Sequence, residues 1–129
     1  MQIRIYYEDT DCGGIVYHTN YIKYCERARS DIFFSSNVMP NTESIGLVVR
    51  SMEINFLDSA KLGDLLEIKT KILKLGRSSV ILKQEIFLKE KLIFDCIVKL
   101  ASIDIKSKKI VKIPDEILTI LKEHYDKEK

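Results

Sequence analysis

The chain contains no tryptophan, only two prolines and only two histidines in its 129 residues. Cysteine is also scarce. Cys12, Cys25 and Cys96 are odd in number and show no C-x-x-C spacing, which excludes a disulfide framework and a zinc knuckle and fits a reducing compartment. His18 stands near a group of acids and His124 in the remote tail, too few nitrogen ligands for a transition-metal site. No apolar run reaches the ~18 residues that a membrane-spanning helix needs, and no basic-then-apolar leader precedes Met1. A cytoplasmic protein with no membrane span is therefore expected. Neither sign of charge dominates. The 21 basic and 19 acidic side chains leave a net charge of +2, which excludes the global basic field of a nucleic-acid binder. The absence of a linker, internal repeat or low-complexity tract leads us to expect a single domain over residues 1–129.

A composition of 46% hydrophobic and 31% charged residues is that of an ordinary globular domain. Residues 2–7 alternate as a short strand, and residues 8–18 carry acids and glycines and read as a loop. From about Asn20 to Ser35 the spacing turns helical. Tyr21, Tyr24 or Cys25, Ala28 and Ile32 share a face, Thr19 or Asn20 is available as the cap, and Arg27 can pair with Asp31. Four strand-like runs follow. The first places Val48, Met52, Ile54 and Phe56 on one parity. The second places Leu66, Ile68, Thr70 and Ile72 together. After a turn at Gly76 the third, residues 80–88, alternates weakly, and the fourth lines up Leu92, Phe94, Cys96, Val98 and Leu100. Pro114, Asp115 and Glu116 then start a terminal helix. A meander of strands implies an antiparallel sheet and an α+β fold, and a lone long helix has only that sheet to cover its apolar face.

The stretch "YYEDTDCGGIVYHTNYIKYCERARS" carries the chemistry. Glu8, Asp9 and Asp11 crowd three carboxylates into four residues, followed by Gly13-Gly14 and a helix entered at His18. A calcium loop fits poorly, because Gly13 occupies the third acidic position and the twelfth residue from Asp9 is Asn20 rather than Glu. Cys12 with His18 as its base is conceivable, but a small residue packed in a tight turn explains Cys12 more simply. Capping or turn formation explains any single acid here. For the group as a whole, the glycines allow close approach of a ligand to the backbone. The helix start offers unpaired N–H groups to a polarised carbonyl, and an upstream acid can reach the same point. One loop can thus supply a carboxylate and an oxyanion-type site for acyl transfer.

Residues 6–33 of this sequence resemble the signature of the hotdog-fold acyl-CoA thioesterases. The similarity is closest to the YbgC-like, Tol-Pal-associated branch of the 4-hydroxybenzoyl-CoA thioesterase family. Asp9-Thr10-Asp11, Gly14, Val16-Tyr17-His18, Tyr21 and Glu26-Arg27-Ala28-Arg29 stand in register with the motif, and the similarity extends over essentially the whole chain, weakening toward its C-terminus.

The resemblance implies an antiparallel sheet wrapped around one central helix and the hydrolysis of acyl-CoA to free acid and CoA. It places the catalytic carboxylate at Asp11, the carbonyl-polarising N–H at His18, an assisting role on the His18 side chain, and a supporting tyrosine at Tyr7. Gly14, Val16 and Tyr17 fall on the substrate side of the loop. In the family, the turn after the third strand lies near the cofactor, which here brings Lys74, Arg77, Ser78 and Ser79 to the anionic end of CoA; a solvated hairpin is the alternative. Glu8 and Asp9 are expected to shape the loop, with Asp9 buried and paired. Glu26 is expected to be structural, and Arg27 and Arg29 to form surface salt bridges. No cofactor is implied beyond the CoA of the substrate. The implied partners are further copies of the chain, paired edge to edge and then as dimers of dimers, and acyl carrier protein or phospholipid-synthesis enzymes. A non-catalytic acyl-CoA-binding or regulatory module on the same scaffold is the alternative, separated by turnover. A dehydratase would require a His-centred dyad that this chain lacks.

Overall fold

The computed structural model describes residues 1–127. The elements run β1 (Gln2–Arg4), a 3-10 turn (Tyr7–Asp9), α1 (His18–Phe34), β2 (Ile45–Phe56), β3 (Leu65–Leu75), β4 (Ser79–Leu88), β5 (Lys91–Asp104) and α2 (Asp115–Lys127). One antiparallel sheet of order β1-β3-β4-β5-β2 carries all five strands. The α+β expectation of a strand meander around one long helix is met.

Register explains the core. Across the sheet, Ile68, Ile86, Phe94 and Phe56 stand side by side, as do Thr70, Gln84, Cys96 and Ile54, and then Ile72, Leu82, Val98 and Met52. These rows face α1, so the period-2 alternation of each strand becomes one continuous floor. The alternation of β4, weak in the sequence, is regular in burial from Val80 to Ile86. Register shifts occur between Ile72 and Lys74, Ile86 and Phe87, and Val49 and Ser51. Such bulges bend and twist a strand, and here they let a single sheet curl around a helix. The bulge in β2 also corrects a sequence expectation: Val49, not Val48, lies opposite Leu100, because the extra residue reverses the parity on one side of it.

Helix α1 buries Tyr21, Tyr24, Cys25, Ala28 and Phe33. Both Tyr24 and Cys25 are inside because the curled sheet reaches around more than a narrow stripe. The helix begins at His18, two residues before the expected start, and neither Thr19 nor Asn20 caps it. The Asn20 amide instead donates to the Asp9 carbonyl at 2.9 Å. Arg27 and Asp31 are both exposed and form no ion pair among the described residues, as little is gained by fixing two solvated side chains. The sheet is not the sole cover of α1, since α2 packs against β3 and also touches α1. Its apolar stripe of Ile117, Ile120 and Leu121 is buried, and the helix starts directly after Pro114 as expected.

A buried polar knot fixes α1 over the floor. Gln84 is fully buried; its Nε2 donates to the Cys25 carbonyl at 2.8 Å and to Thr70 Oγ1 at 3.0 Å. Its Oε1 accepts from Arg29 Nη1 at 2.9 Å. Arg29 therefore turns inward rather than forming a surface salt bridge, and its loss of solvent lowers its pKa without discharging it. Buried polar groups persist only when hydrogen-bonded, and all of Gln84's amide atoms are. Replacing Gln84 with Leu removes the acceptor of a part-buried guanidinium, so Gln84→Leu is expected to destabilise the fold by about 2 kcal/mol, read as a lower urea midpoint at unchanged m-value.

Candidate active site

The acidic loop is a compact double turn. Asp9 Oδ2 accepts from Tyr6 N–H at 2.9 Å, and Asp9 N–H returns to the Tyr6 carbonyl at 3.0 Å. An isolated bridge then pairs Thr10 with Val16. Inside it, Asp11 N–H donates to the Ile15 carbonyl at 2.9 Å and Gly14 N–H to the Asp11 carbonyl at 3.1 Å. The Asp11 carboxylate is held by its own turn: Oδ1 accepts from Gly13 N–H at 2.8 Å, and a Cβ at Gly13 would stand 3.2 Å from that oxygen. Gly14 takes φ +82°, the left-handed conformation that closes the turn. Cys12 is exposed at the tip rather than packed in it.

Two anchors join this loop to α1. The Asp9 carbonyl accepts from Tyr17 N–H at 3.0 Å and from the Asn20 amide. The backbone of Ala60, in the connection between β2 and β3, takes Val16 N–H on its carbonyl and gives its own N–H to the Tyr21 hydroxyl, both at 2.9 Å. With Tyr17 as N-cap and no side-chain cap, the N–H groups of His18 and Thr19 have no acceptor among the described residues. They point the positive end of a 17-residue helix outward. The His18 ring lies against Tyr17, centroids 4.6 Å apart, and edge-on to Phe56 at 6.0 Å. Behind it, Tyr21 stacks on Phe94 at 5.5 Å. The Tyr24 hydroxyl is buried with no hydrogen bond of ordinary geometry; burial first, and the Asp9 carboxylate beside it second, push its pKa up. Asp9 is half-buried, and among the described residues its carboxylate accepts from the Tyr6 N–H and lies beside this phenol.

Asp11, Gly14, Val16, Tyr17 and His18 thus share one short span of chain, with Val16 buried and the others exposed. Tyr7 sits on the adjoining 3-10 turn and is 81% exposed. These side chains lie on an open surface of the single chain. A cavity of about 780 Å³ beside them is lined by Ile15, Lys61, Lys89 and Lys91, and by none of the expected catalytic residues. Arg77, Ser78 and Ser79 form the β3–β4 hairpin, where Gly76 N–H closes on the Ser79 carbonyl at 2.8 Å. Ser79 pairs with Ala101, seven residues along β5 from the Phe94 that packs under α1's start, so the hairpin lies about 23 Å away at ~3.3 Å per strand residue. One chain does not bring the two groups together. The hairpin instead borders a groove of about 490 Å³ where Arg77 meets Lys112, Lys122 and Tyr125. Those two lysines lie 35 and 45 residues beyond Arg77 in sequence, and no motif flags them. Glu26 stays exposed and accepts from Ser30 Oγ at 3.0 Å, a local structural bond. Among the described residues no three His, Cys, Asp or Glu side chains group as a metal site, and no helix is long and apolar enough to cross a membrane.

A long helix laid on a curled antiparallel sheet, entered through a loop that carries an acid and runs into free helix amides, defines a hotdog domain. Residues 13–93 match the model of the thioesterase superfamily. Over 87 residues the chain is 53% identical to the acyl-CoA thioesterase YbgC of Helicobacter pylori, a match taking in 67% of this chain and 65% of that protein's length. It is 31% identical over 119 residues to the Haemophilus influenzae acyl-CoA thioesterase YbgC, covering 89% of this chain and 88% of that one. The crystal structure of a probable thioesterase from Bartonella henselae superposes with a TM-score of 0.82 at 32% identity, over 88% of this chain and 97% of the other. The chain belongs to the thioesterase superfamily, on its YbgC-like branch.

Gly14 is the position where the loop depends on backbone freedom. A Cβ there meets nothing within 4 Å, so the cost of Gly14→Ala is conformational alone. It is expected to lower stability by about 1 kcal/mol, measured by denaturant unfolding.

Proposed function

We propose that the chain hydrolyses acyl-CoA thioesters to free acid and CoA. The observation that carries this is one stapled loop that bears the Asp11 carboxylate and leads into the acceptor-free N–H groups at the start of α1. The thioester carbonyl oxygen accepts from His18 N–H, where the helix terminus stabilises the charge that develops on it. Asp11 either takes a proton from the attacking water or attacks the carbonyl itself through the oxygen not held by Gly13. Collapse of the tetrahedral species expels the CoA thiolate, which leaves the free acid when water attacks and a mixed anhydride on Asp11, then opened by water, when Asp11 attacks. Water is the second reactant, and no cofactor enters. The His18 ring and Tyr7 flank the reacting group, and Gly14, Val16 and Tyr17 form its near wall.

The site is completed by a second copy. β2 is an edge strand, and Val48, Val49, Phe56 and Leu57 on or beside it are exposed apolar residues. Antiparallel pairing of two β2 strands sets the Phe56 end of one against the Ile45 end of the other. Because Ile45 pairs with Asp104 and Ser79 with Ala101, that pairing carries the partner's Arg77, Ser78 and Ser79 toward Asp11. The groove of Arg77, Lys112 and Lys122 then receives the phosphates of CoA, as cations near a polyanion should. The reading includes a single cytoplasmic domain over residues 1–129 acting on CoA esters of lipid metabolism, with dimers associating further into tetramers.

Thiol release from a panel of acyl-CoAs tests this. Asp11→Asn is expected to lower kcat by about 100-fold or more, and an Asp11→Asn protein with full turnover refutes the assignment. Single turnover in labelled water separates the two roles, since attack by Asp11 leaves label in its carboxylate. Tight binding without turnover in the unaltered chain would identify a binding module instead. Arg77→Ala is expected to raise KM for CoA esters with kcat nearly unchanged, the mark of lost ground-state binding.

A further inference from the structure

We propose that Tyr21 is a positioning residue, which sets the distance between Asp11 and the carbonyl-polarising amides through the backbone of the single residue Ala60. The inference rests on the site assignment above and deepens it. Ala60 belongs neither to the acid loop nor to α1, yet it binds both. Its N–H donates to the Tyr21 hydroxyl on the first turn of α1, and its carbonyl accepts from Val16, between Asp11 and His18 in the chain. Tyr21, Ala60 and Val16 are all buried. The backbone of Ala60, two planar peptides meeting at one buried Cα, thus serves as a strut with one end on the helix and the other on the loop.

The phenol oxygen at the helix end cannot drift. Its ring is stacked on Phe94, edge-on to Tyr24 at 6.3 Å, and tilted against Phe56 at 6.3 Å. Burial raises the Tyr21 pKa and the bond from Ala60 opposes that rise, so the neutral phenol is the form that accepts. The anchor at Asp9 fixes the loop only upstream of Asp11. Downstream, the bridge of Thr10 to Val16 transmits whatever Ala60 imposes, so Val16 is where the turn bearing Asp11 is aligned with the helix. Removing the Tyr21 hydroxyl leaves the buried Ala60 N–H without its acceptor, and the peptide must rotate or the connection must shift to find another.

Catalysis is steep in such displacements, and about 1 Å costs on the order of 100-fold. Tyr21→Phe is therefore expected to lower kcat by roughly 10- to 100-fold while KM for the same acyl-CoA changes little. The control is Ile117→Val on α2, which weakens the core away from the loop and is expected to keep wild-type kcat. Wild-type kcat in a folded Tyr21→Phe protein overturns the proposal, as does an equal loss of kcat in the α2 variant. If Asp11→Asn is inactive and Tyr21→Phe is not, only the strut falls; if Asp11→Asn is active, the site assignment falls first. Amide exchange in the unaltered chain reads the strut without any substitution. The Ala60 and Val16 N–H groups are expected to be protected to the same degree, at least ~100-fold above Cys12 at the exposed tip, and a rapidly exchanging Ala60 amide overturns the proposal even if Tyr21→Phe does not fold.

Discussion

The burial of one face of α1 on a sheet bent by three bulges sets the terms for the rest of the molecule. A helix of 17 residues with a broad aromatic and small-residue face cannot be covered by a flat surface, and a five-stranded sheet without bulges would twist away from it. The register shifts solve both problems, and they place Phe94 and Phe56 under the first turn. A firm first turn in turn allows its amides to stay without acceptors at modest cost, because the helix is held by packing rather than by a cap. The free amides are affordable only where they face solvent or a ligand, and the exposure of His18 and Thr19 meets that condition.

Much of this was legible in the sequence because periodicity is a physical signal. Leu66, Ile68 and Ile72, or Phe94, Cys96 and Val98, read as one face because a strand has a period of two, and those faces are buried in the fold. The acid loop and helix entry were legible for a different reason. Their parts lie within one turn of chain, so local spacing nearly determines their geometry. Gln84 was not legible, because the weak alternation of β4 hides its inward parity and its partners lie on other elements.

What was not legible depends on pairings between distant segments. Ala60 is an unremarkable small residue in "DSAKLGD", and only the fold brings its peptide between Val16 and Tyr21. Lys112 and Lys122 join Arg77 because α2 returns to the β3–β4 hairpin. Hydrophobic spacing alone starts the helix at Asn20, two residues late, for a related reason. Asn20 is a good cap by composition, but the Asp9 carbonyl, reached through a folded loop, takes its side chain. Arg29 likewise lies in a run of charges that reads as solvated, until Gln84 supplies an acceptor beneath the helix.

The exposure of Asp11 in the single chain is a consequence of the same architecture. The curled sheet gives its concave surface to α1, and the cavity beside the acid loop is lined by none of the expected catalytic residues. On the proposed function, the acyl slot is formed between α1 and a second copy of the chain. Strand β2 has an unpaired edge, and exposed apolar side chains gather where it meets the helix entry. The hairpin cations stand at the far end of the same sheet, and a two-fold axis along that edge brings far ends together. On the proposed function, the exposed acid and the groove of Arg77, Lys112, Lys122 and Asp126 are two halves of one site, joined where the free edge of one chain meets that of another.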